Sequence, residues 1–399
     1  MKGADRAGRL DRWIERFSRI TSGGRLIPEI DGLRFFAIGG VVLYHLNGYL
    51  LARAPVPFDP SPDVRPLNLL VRHGNYGVQL FFALSGFILM LPFAERILAN
   101  RPRPSLRDYF TRRLTRLEPP YVANVLIAFS LLVVARGESF ADVLPHLGAS
   151  LLYIHNAVFG ESSVINPVAW SLEVEVQFYV VAPLLATLFR VRGRLRRRAI
   201  VVLAIAAFGS LKQIFPEKGL FLSLPGQMPY FLVGILLADL YLVDWESRPA
   251  RGPGGDLLAA LALAAMLPVA HFGFHVDRAL PPLILLFCVG AFRGRVWNGV
   301  VRNRWLVVVG GMCYTIYLYH AFAISLLGRV TVGLVPTKSY ELALLVQLVL
   351  VAVPTIAACA LLFAALERPF MRRDWPSRFA SAVRLALRIG ARGADGPRA

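Results

Sequence analysis

About ten apolar stretches, each long enough or nearly so to cross a hydrocarbon core roughly 30 Å thick, alternate along this chain with arginine-rich connections. They run over 33–51, 76–95, 120–135, 167–189, 199–215, 222–243, 256–273, 279–292, 305–327 and 341–366. In lipid every backbone N–H and C=O must find its partner within the protein, so such runs fold as helices. Arginines crowd 96–116, 190–198, 293–304 and 368–398, whereas 136–165, 271–279 and 328–340 hold few. With the N-terminus in the cytoplasm, every basic connection falls inside and every sparse one outside, as the positive-inside rule asks. The expectation is an all-α, polytopic protein of about ten transmembrane helices in the cytoplasmic (inner) cell membrane, both termini cytoplasmic.

Composition agrees. Of 399 residues, 56% are hydrophobic and 17% charged, and the mean hydropathy is +0.55. The 44 Lys+Arg against 25 Asp+Glu give +19. Cations gathered between apolar runs fit lipid headgroups better than a nucleic acid, and no nucleic-acid partner is expected. Cys288, Cys313 and Cys359 sit inside apolar segments, giving neither a disulfide framework nor a metal-ligand spacing. No secretory signal precedes the first span. Three parts are expected: a basic amphipathic cytoplasmic segment over 1–27, a transmembrane domain over 28–370 and a basic cytoplasmic tail over 371–399. In the first, Leu10, Trp13, Ile14, Phe17 and Ile20 have helical spacing, which suits a surface helix or a plain charged tail. In the last, Phe379, Val383 and Leu387 suggest another surface helix.

Ionisable residues inside apolar helices are costly and mark candidate sites. In the first span Arg34 and His45 are eleven residues apart, three turns of helix, which puts them on one face roughly 16 Å apart along the axis. In Trp170-Ser171-Leu172-Glu173-Val174-Glu175-Val176-Gln177-Phe178-Tyr179, a spacing of four aligns Ser171, Glu175 and Tyr179, while Glu173 lies on another face. Glu175 needs a partner or a proton, and a histidine is the obvious candidate, because a carboxylate can fix an imidazole's tautomer. Tyr314-Thr315-Ile316-Tyr317-Leu318-Tyr319-His320 brings a second histidine to a depth like that of His45 and Glu175. Arg107, Arg112, Arg113 and Arg116 precede Leu117-Glu118-Pro119-Pro120-Tyr121. They satisfy the positive-inside rule unaided, and the Arg112/Arg113/Arg116 cluster together with Arg34 also suits the phosphates of a nucleotide-bearing donor. Ser85 and Gly86, in Phe81-Phe82-Ala83-Leu84-Ser85-Gly86-Phe87, read as small residues for close helix packing, with no nucleophile elbow around Ser85.

Taken in order, these motifs resemble the bacterial membrane-bound acyltransferase family 3: Asp31-Gly32-Leu33-Arg34 with His45, then Tyr76-Gly77-Val78 through Phe87, Arg112-Arg113-x-x-Arg116-x-x-Pro119, Trp170-Ser171-Leu172-x-x-Glu175-x-x-Phe178-Tyr179, Tyr314-x-Ile316-Tyr317-Leu318-x-His320 and Glu367-Arg368-Pro369. The resemblance covers roughly 28–370. Many members carry a second acid after the position of Glu175, where this chain has Val176, and Glu173 is displaced from that pattern. The resemblance implies an O-acyltransferase that moves an acyl group, often acetyl, from cytoplasmic acyl-CoA to a hydroxyl of a carbohydrate, glycolipid or other glycosylated acceptor. On that basis His45 is the expected general base and the expected partner of Glu175, with Arg34 completing the catalytic set. Arg34, Arg112, Arg113 and Arg116 are expected to hold the donor, and Tyr44, Ser171, Tyr179, Tyr319 and His320 the acceptor or the developing oxyanion. No metal and no tightly bound cofactor is expected. The competing reading is a transporter or lipid flippase whose intramembrane histidines and glutamates titrate during alternating access, although no inverted repeat supports it.

Overall fold

Helix α1, Pro28–Arg53, opens with proline in its first turn, where the missing N–H costs nothing. In the computed structural model, which describes residues 16–20, 26–102, 104–215, 218–272, 276–334, 336–372, 375 and 381, every regular element is helical. After α1 come α2 (Gly77–Leu98), α3 (Leu106–Ser130), α4 (Phe140–Leu151) and α5 (Trp170–Leu185). They are followed by α6 (Arg194–Ile214), α7 (Leu224–Asp239), α8 (Pro253–Phe272), α9 (Val276–Arg293), α10 (Arg304–Gly311), α11 (Cys313–Thr331) and α12 (Tyr340–Gln347). Helical turns continue beyond α12 to Met371. Most of the expected surface helix over 9–20, and the C-terminal one beyond Pro376-Ser377, lie outside the described residues.

Among the described residues, six helical stretches are long and apolar enough to cross a membrane: Pro28–Arg53, Pro66–Leu98, Leu106–Ala135, Pro167–Arg190, Gly219–Asp244 and Tyr340–Met371. The pair α10 and α11, bent by 71° at its break, makes a seventh if counted as one span. The chain is a multi-pass, all-helical membrane protein, and the expected ten spans exceed what these helices supply by length and composition. The remaining three expected segments are helical but shorter in apolar length. Helix α6 spends its first turns on Arg194, Arg196, Arg197 and Arg198, the apolar part of α8 is Pro253–Val269, and α9 carries Pro281 and Pro282.

The largest buried cluster surrounds α2 and α7, which lie against each other along most of their lengths. Glycine permits that approach: a Cβ on Gly234 would stand 2.1 Å from the Ala83 carbonyl oxygen, and one on Gly86 would stand 2.3 Å from that of Phe231. The packing expected of Gly86 is therefore real. Phe178 of α5 stacks on Phe231 with ring centroids 4.0 Å apart, adding α5 to the pair. Helix α1 packs against α2, α10 and α11, and His45 meets His320 of α11.

Candidate functional site

At the start of α1, Asp31 is buried and its Oδ1 accepts from Nη1 of Arg34 at 2.6 Å. The spacing of three residues places the pair one above the other on the helix. The same oxygen accepts from Nη1 of Arg19 at 3.0 Å. Arg19 belongs to the short segment 16–20, and the Ser18 carbonyl of that segment accepts from Arg368 Nε at 3.2 Å. Two distant parts of the sequence thus close on one end of α1. Gly310 of α10 covers the same place, with a Cβ there standing 1.7 Å from the Asp31 carbonyl oxygen.

Helix α3 brings its arginines to this end. Arg113 donates from Nη1 to the Tyr109 carbonyl at 2.7 Å, and its guanidinium carbon stands 3.6 Å over the Tyr109 ring, a cation–π contact that fixes a long side chain. Arg116 donates from Nη2 to Glu367 Oε1 at 3.2 Å, while Thr315 Oγ1 donates to the other oxygen of Glu367 at 2.6 Å. Glu367 is fully buried and closes the π-helical turn Phe363–Glu367. Such wide turns recur at functional sites because they redirect side chains.

These residues surround a cavity of about 720 Å³. Among the described residues its lining holds six arginines (Arg19, Arg34, Arg112, Arg113, Arg116 and Arg372) and three carboxylates (Glu95, Asp108 and Glu175). The Nε atoms of Arg19, Arg113 and Arg116 are buried without an acceptor among the described residues. Buried donors ordinarily find partners, so three guanidinium N–H groups left over around one cavity suit a bound anion. Apolar side chains, among them Phe81, Phe82, Ile88 and Leu89, complete the lining.

A hydroxyl and carboxylate cluster adjoins the arginines, the Arg113 guanidinium carbon standing 5.9 Å from the Tyr179 ring centroid. Ser85 donates to Glu175 Oε1 at 2.6 Å, and the Tyr179 hydroxyl hydrogen-bonds the same carboxylate. The Tyr317 hydroxyl donates to the Val168 carbonyl, so the Ser171 hydroxyl, 3.1 Å away, must donate to the Tyr317 oxygen. Ser85, Glu175, Ser171, Tyr179 and Tyr317 all line the cavity.

The histidines stand just beyond. His320 is fully buried, its ring centroid 6.5 Å from that of Tyr317 and 5.0 Å from that of His45. His320 Nε2 lies 3.3 Å from His45 Nδ1, which is also 3.1 Å from the carbonyl oxygen of Val41. The expected His45–Glu175 pairing is not formed. Glu175 is engaged by Ser85 and Tyr179, and the imidazole of His45 meets His320 instead, because both histidines project from the touching helices α1 and α11. Among the residues expected to serve acceptor or oxyanion, Ser171 and Tyr179 line the cavity, whereas Tyr44, Tyr319 and His320 do not. Tyr44 is exposed, its ring edge against His45, and Tyr319 packs between two smaller apolar clusters. Glu173 is fully buried and accepts from the Asn156 backbone N–H at 2.9 Å, so it caps the short helix His155–Phe159 and stands apart from the cavity.

Several contributors are hard to see in the sequence. Arg19 reads as part of a surface segment, Ser85 as packing, and Glu367 as the head of a terminal motif. A carboxylate at the end of the most apolar run was the available signal for Glu367. Among the described residues no three His, Cys, Asp or Glu side chains converge as metal ligands.

Comparison with known proteins gives this arrangement a family. O-acetyltransferase OatA of Staphylococcus aureus (strain NCTC 8325 / PS 47) is 20% identical over 325 residues, covering 74% of this chain and 50% of its own length. A second protein, SACOL0978 of S. aureus strain COL, provisionally named an O-acetyltransferase, is 22% identical over 398 residues, covering 91% of this chain and 61% of its own length. The chain thus spans about half the length of OatA, and no solved structure matches it. A family model described as an acyltransferase domain, that of acyltransferase family 3, matches residues 27–364. The chain therefore belongs to acyltransferase family 3.

Proposed function

We propose that this chain is an O-acyltransferase that takes an acyl group, typically acetyl, from cytoplasmic acyl-CoA and places it on a hydroxyl of a carbohydrate, glycolipid or other glycosylated acceptor. The observation that carries the proposal is the cavity, whose lining combines a group of arginines, apolar side chains and a cluster of hydroxyls around Glu175. An acyl-CoA brings the matching chemistry: phosphates, a pantetheine arm and a thioester. Arg112, Arg113 and Arg116 take the phosphates, with Arg34 and Arg19 beneath them. The names of the S. aureus relatives support O-acetyl transfer. The arginine-rich connections support a cytoplasmic orientation for this end at the inner cell membrane, with both termini on that side.

The thioester then lies near Ser171 and Tyr317, whose hydrogen bonds to each other and to Val168 form a wall before the histidines. The reaction needs that wall to open. His45 Nε2 takes the proton of the acceptor hydroxyl as its oxygen attacks the thioester carbonyl carbon. The tetrahedral intermediate collapses by breaking the C–S bond, and the departing thiolate takes the proton back from the imidazolium. General base catalysis of this kind contributes roughly 10²–10⁴-fold in rate. With the Ser171 hydroxyl hydrogen given to Tyr317 and that of Tyr179 to Glu175, both oxygens can still accept from the acceptor's hydroxyls, so they are assigned to the acceptor and not to the carbonyl oxygen. Glu175 orders Ser85 and Tyr179 beside Arg113, a role distinct from pairing with His45.

Purified protein in vesicles, given acetyl-CoA on the arginine side and a panel of hydroxylated glycans and glycolipids, tests this reading. Thiol release matched by ester formation is expected. Movement of a sugar or lipid across the vesicle with no thiol release from any acceptor would replace it with the transport reading.

A further inference from the structure

The histidine pair is more constrained than a shared depth requires. Nδ1 of His320 lies 3.0 Å from the Ile316 carbonyl oxygen and 2.8 Å from that of Tyr317. Carbonyl oxygens only accept, so Nδ1 must carry the ring hydrogen. In a neutral imidazole that leaves the lone pair on Nε2, 3.3 Å from His45 Nδ1. A lone pair there is satisfied only if His45 bears its hydrogen on Nδ1. The Val41 carbonyl, 3.1 Å from the same nitrogen, makes the same demand from a different helix. The Nδ1–H of His45 is therefore shared between an acceptor on α1 and one on α11, and the basic lone pair falls on Nε2.

We propose that His320 is a positioning residue for His45: it holds the imidazole in the Nδ1–H tautomer and fixes its ring so that Nε2 faces the reacting hydroxyl. This rests on the reading of His45 as general base. It also takes His320 out of the acceptor site, because the ring is fully buried and both of its nitrogens are engaged. Two acceptors on separate helices define a ring orientation that one helical carbonyl leaves free to swing about its own bond. When Nε2 gains the acceptor's proton, the Nδ1–H of the imidazolium stays on the His320 lone pair and the Val41 carbonyl. His320 itself neither gains nor loses a proton. The arrangement is the base-and-orienter pattern of hydrolytic triads with an imidazole in the orienting place.

Nitrogen NMR of the full chain, labelled with ¹⁵N-histidine in lipid nanodiscs, reads the tautomer without reference to activity. His45→Gln and His320→Gln serve to assign the two rings. Both rings are expected as the Nδ1–H form in the wild type, and a His45 ring carrying its hydrogen on Nε2 would overturn the proposal. Kinetics supply the second readout. His320→Gln keeps an acceptor oxygen near the Nε2 position and is expected to retain kcat within about fivefold, whereas His320→Leu should lose roughly 10- to 100-fold in kcat with KM for both substrates unchanged. A raised KM for the acceptor with kcat preserved would mean that His320 binds substrate, and the proposal would fall. Should His320→Leu not fold, the wild-type spectrum and His320→Gln still decide it. Failure of the general-base reading looks different: a folded His45→Ala with normal turnover, whatever the tautomer.

Discussion

Replacing Glu367 by Gln should weaken the protein in a way that the donor reverses. Glu367 is fully buried between Arg116 Nη2, 3.2 Å from Oε1, and Thr315 Oγ1, 2.6 Å from Oε2. Gln keeps the shape and loses the charge. If its amide oxygen stays on Thr315, its NH₂ faces the Arg116 guanidinium, donor against donor. Breaking one side of a fully buried ion pair costs about 3–5 kcal/mol. The Arg116 side chain is 24% exposed and borders a cavity open to water, so screening brings the expectation to about 1–3 kcal/mol. Coenzyme A then matters, because the released guanidinium gains an anionic partner when a phosphate occupies the cavity. Recovering about 0.7–1.4 kcal/mol in this way corresponds to roughly 3- to 10-fold tighter donor binding. Thermal melts of the purified variant with and without coenzyme A, together with calorimetric titration, check both parts. A loss of stability that coenzyme A does not reduce, with unchanged affinity, would refute the placing of Arg116 at the donor's phosphates.

Three further outcomes follow from the same structure. Arg113→Lys keeps the charge but forfeits the planar fork and the stack on Tyr109, so donor affinity measured by titration should fall by roughly 10- to 100-fold, one charge-assisted hydrogen bond being worth about 1.5–3 kcal/mol. Gly234→Ala forces a Cβ to within 2.1 Å of the Ala83 carbonyl oxygen and should cost about 1–3 kcal/mol or prevent folding, whereas Gly48→Ala on α1, with open space around it, should stabilise by about 0.5–1 kcal/mol in thermal melts. Outside the spans, burial holds the His155 imidazole below its ordinary value, its hydrogen bond to the Glu161 carbonyl opposing and nearby His146 adding to the effect. A histidine depressed in the folded state takes up protons on unfolding, so its contribution is complete above the ordinary imidazole value of about 6.5 and is lost as pH falls through that value towards the folded one. Amide exchange over 136–165, corrected for intrinsic rate, should therefore speed up between about pH 7.5 and 5.5 in the wild type and not in His155→Phe.

Helical spacing is legible in a sequence because it is local, and that is why Arg34 and His45 could be put on one face of α1 and Ser171, Glu175 and Tyr179 on one face of α5. Depth was legible too: His45 and His320, placed at one level by counting residues from the helix ends, touch. What depth cannot supply is which neighbour lies on which side. Glu175 shares that level, yet α5 directs it towards Ser85 of α2, 90 residues away in sequence, and leaves His45 to His320, 275 away. The Arg116–Glu367 pair spans 251 residues and depends on a wide turn that no local pattern announces. The span count is least legible where an apolar run shares its helix with arginines, as in α6, or with paired prolines, as in α9, because those helices fall short of a span by length and composition. Hydropathy measures the run and not the length of helix left to cross a bilayer.

Turnover of His45→Ala bears most directly on acyl transfer by this chain. The variant should be reconstituted in vesicles, shown by thermal melt and coenzyme A titration to be folded and donor-competent, and assayed for thiol release with an acceptor that the wild type uses. Donor affinity should match the wild type, because His45 stands beyond the cavity wall, while kcat should fall by roughly 10²–10⁴-fold. A folded His45→Ala that binds coenzyme A and releases thiol at the wild-type rate would contradict the role given to His45.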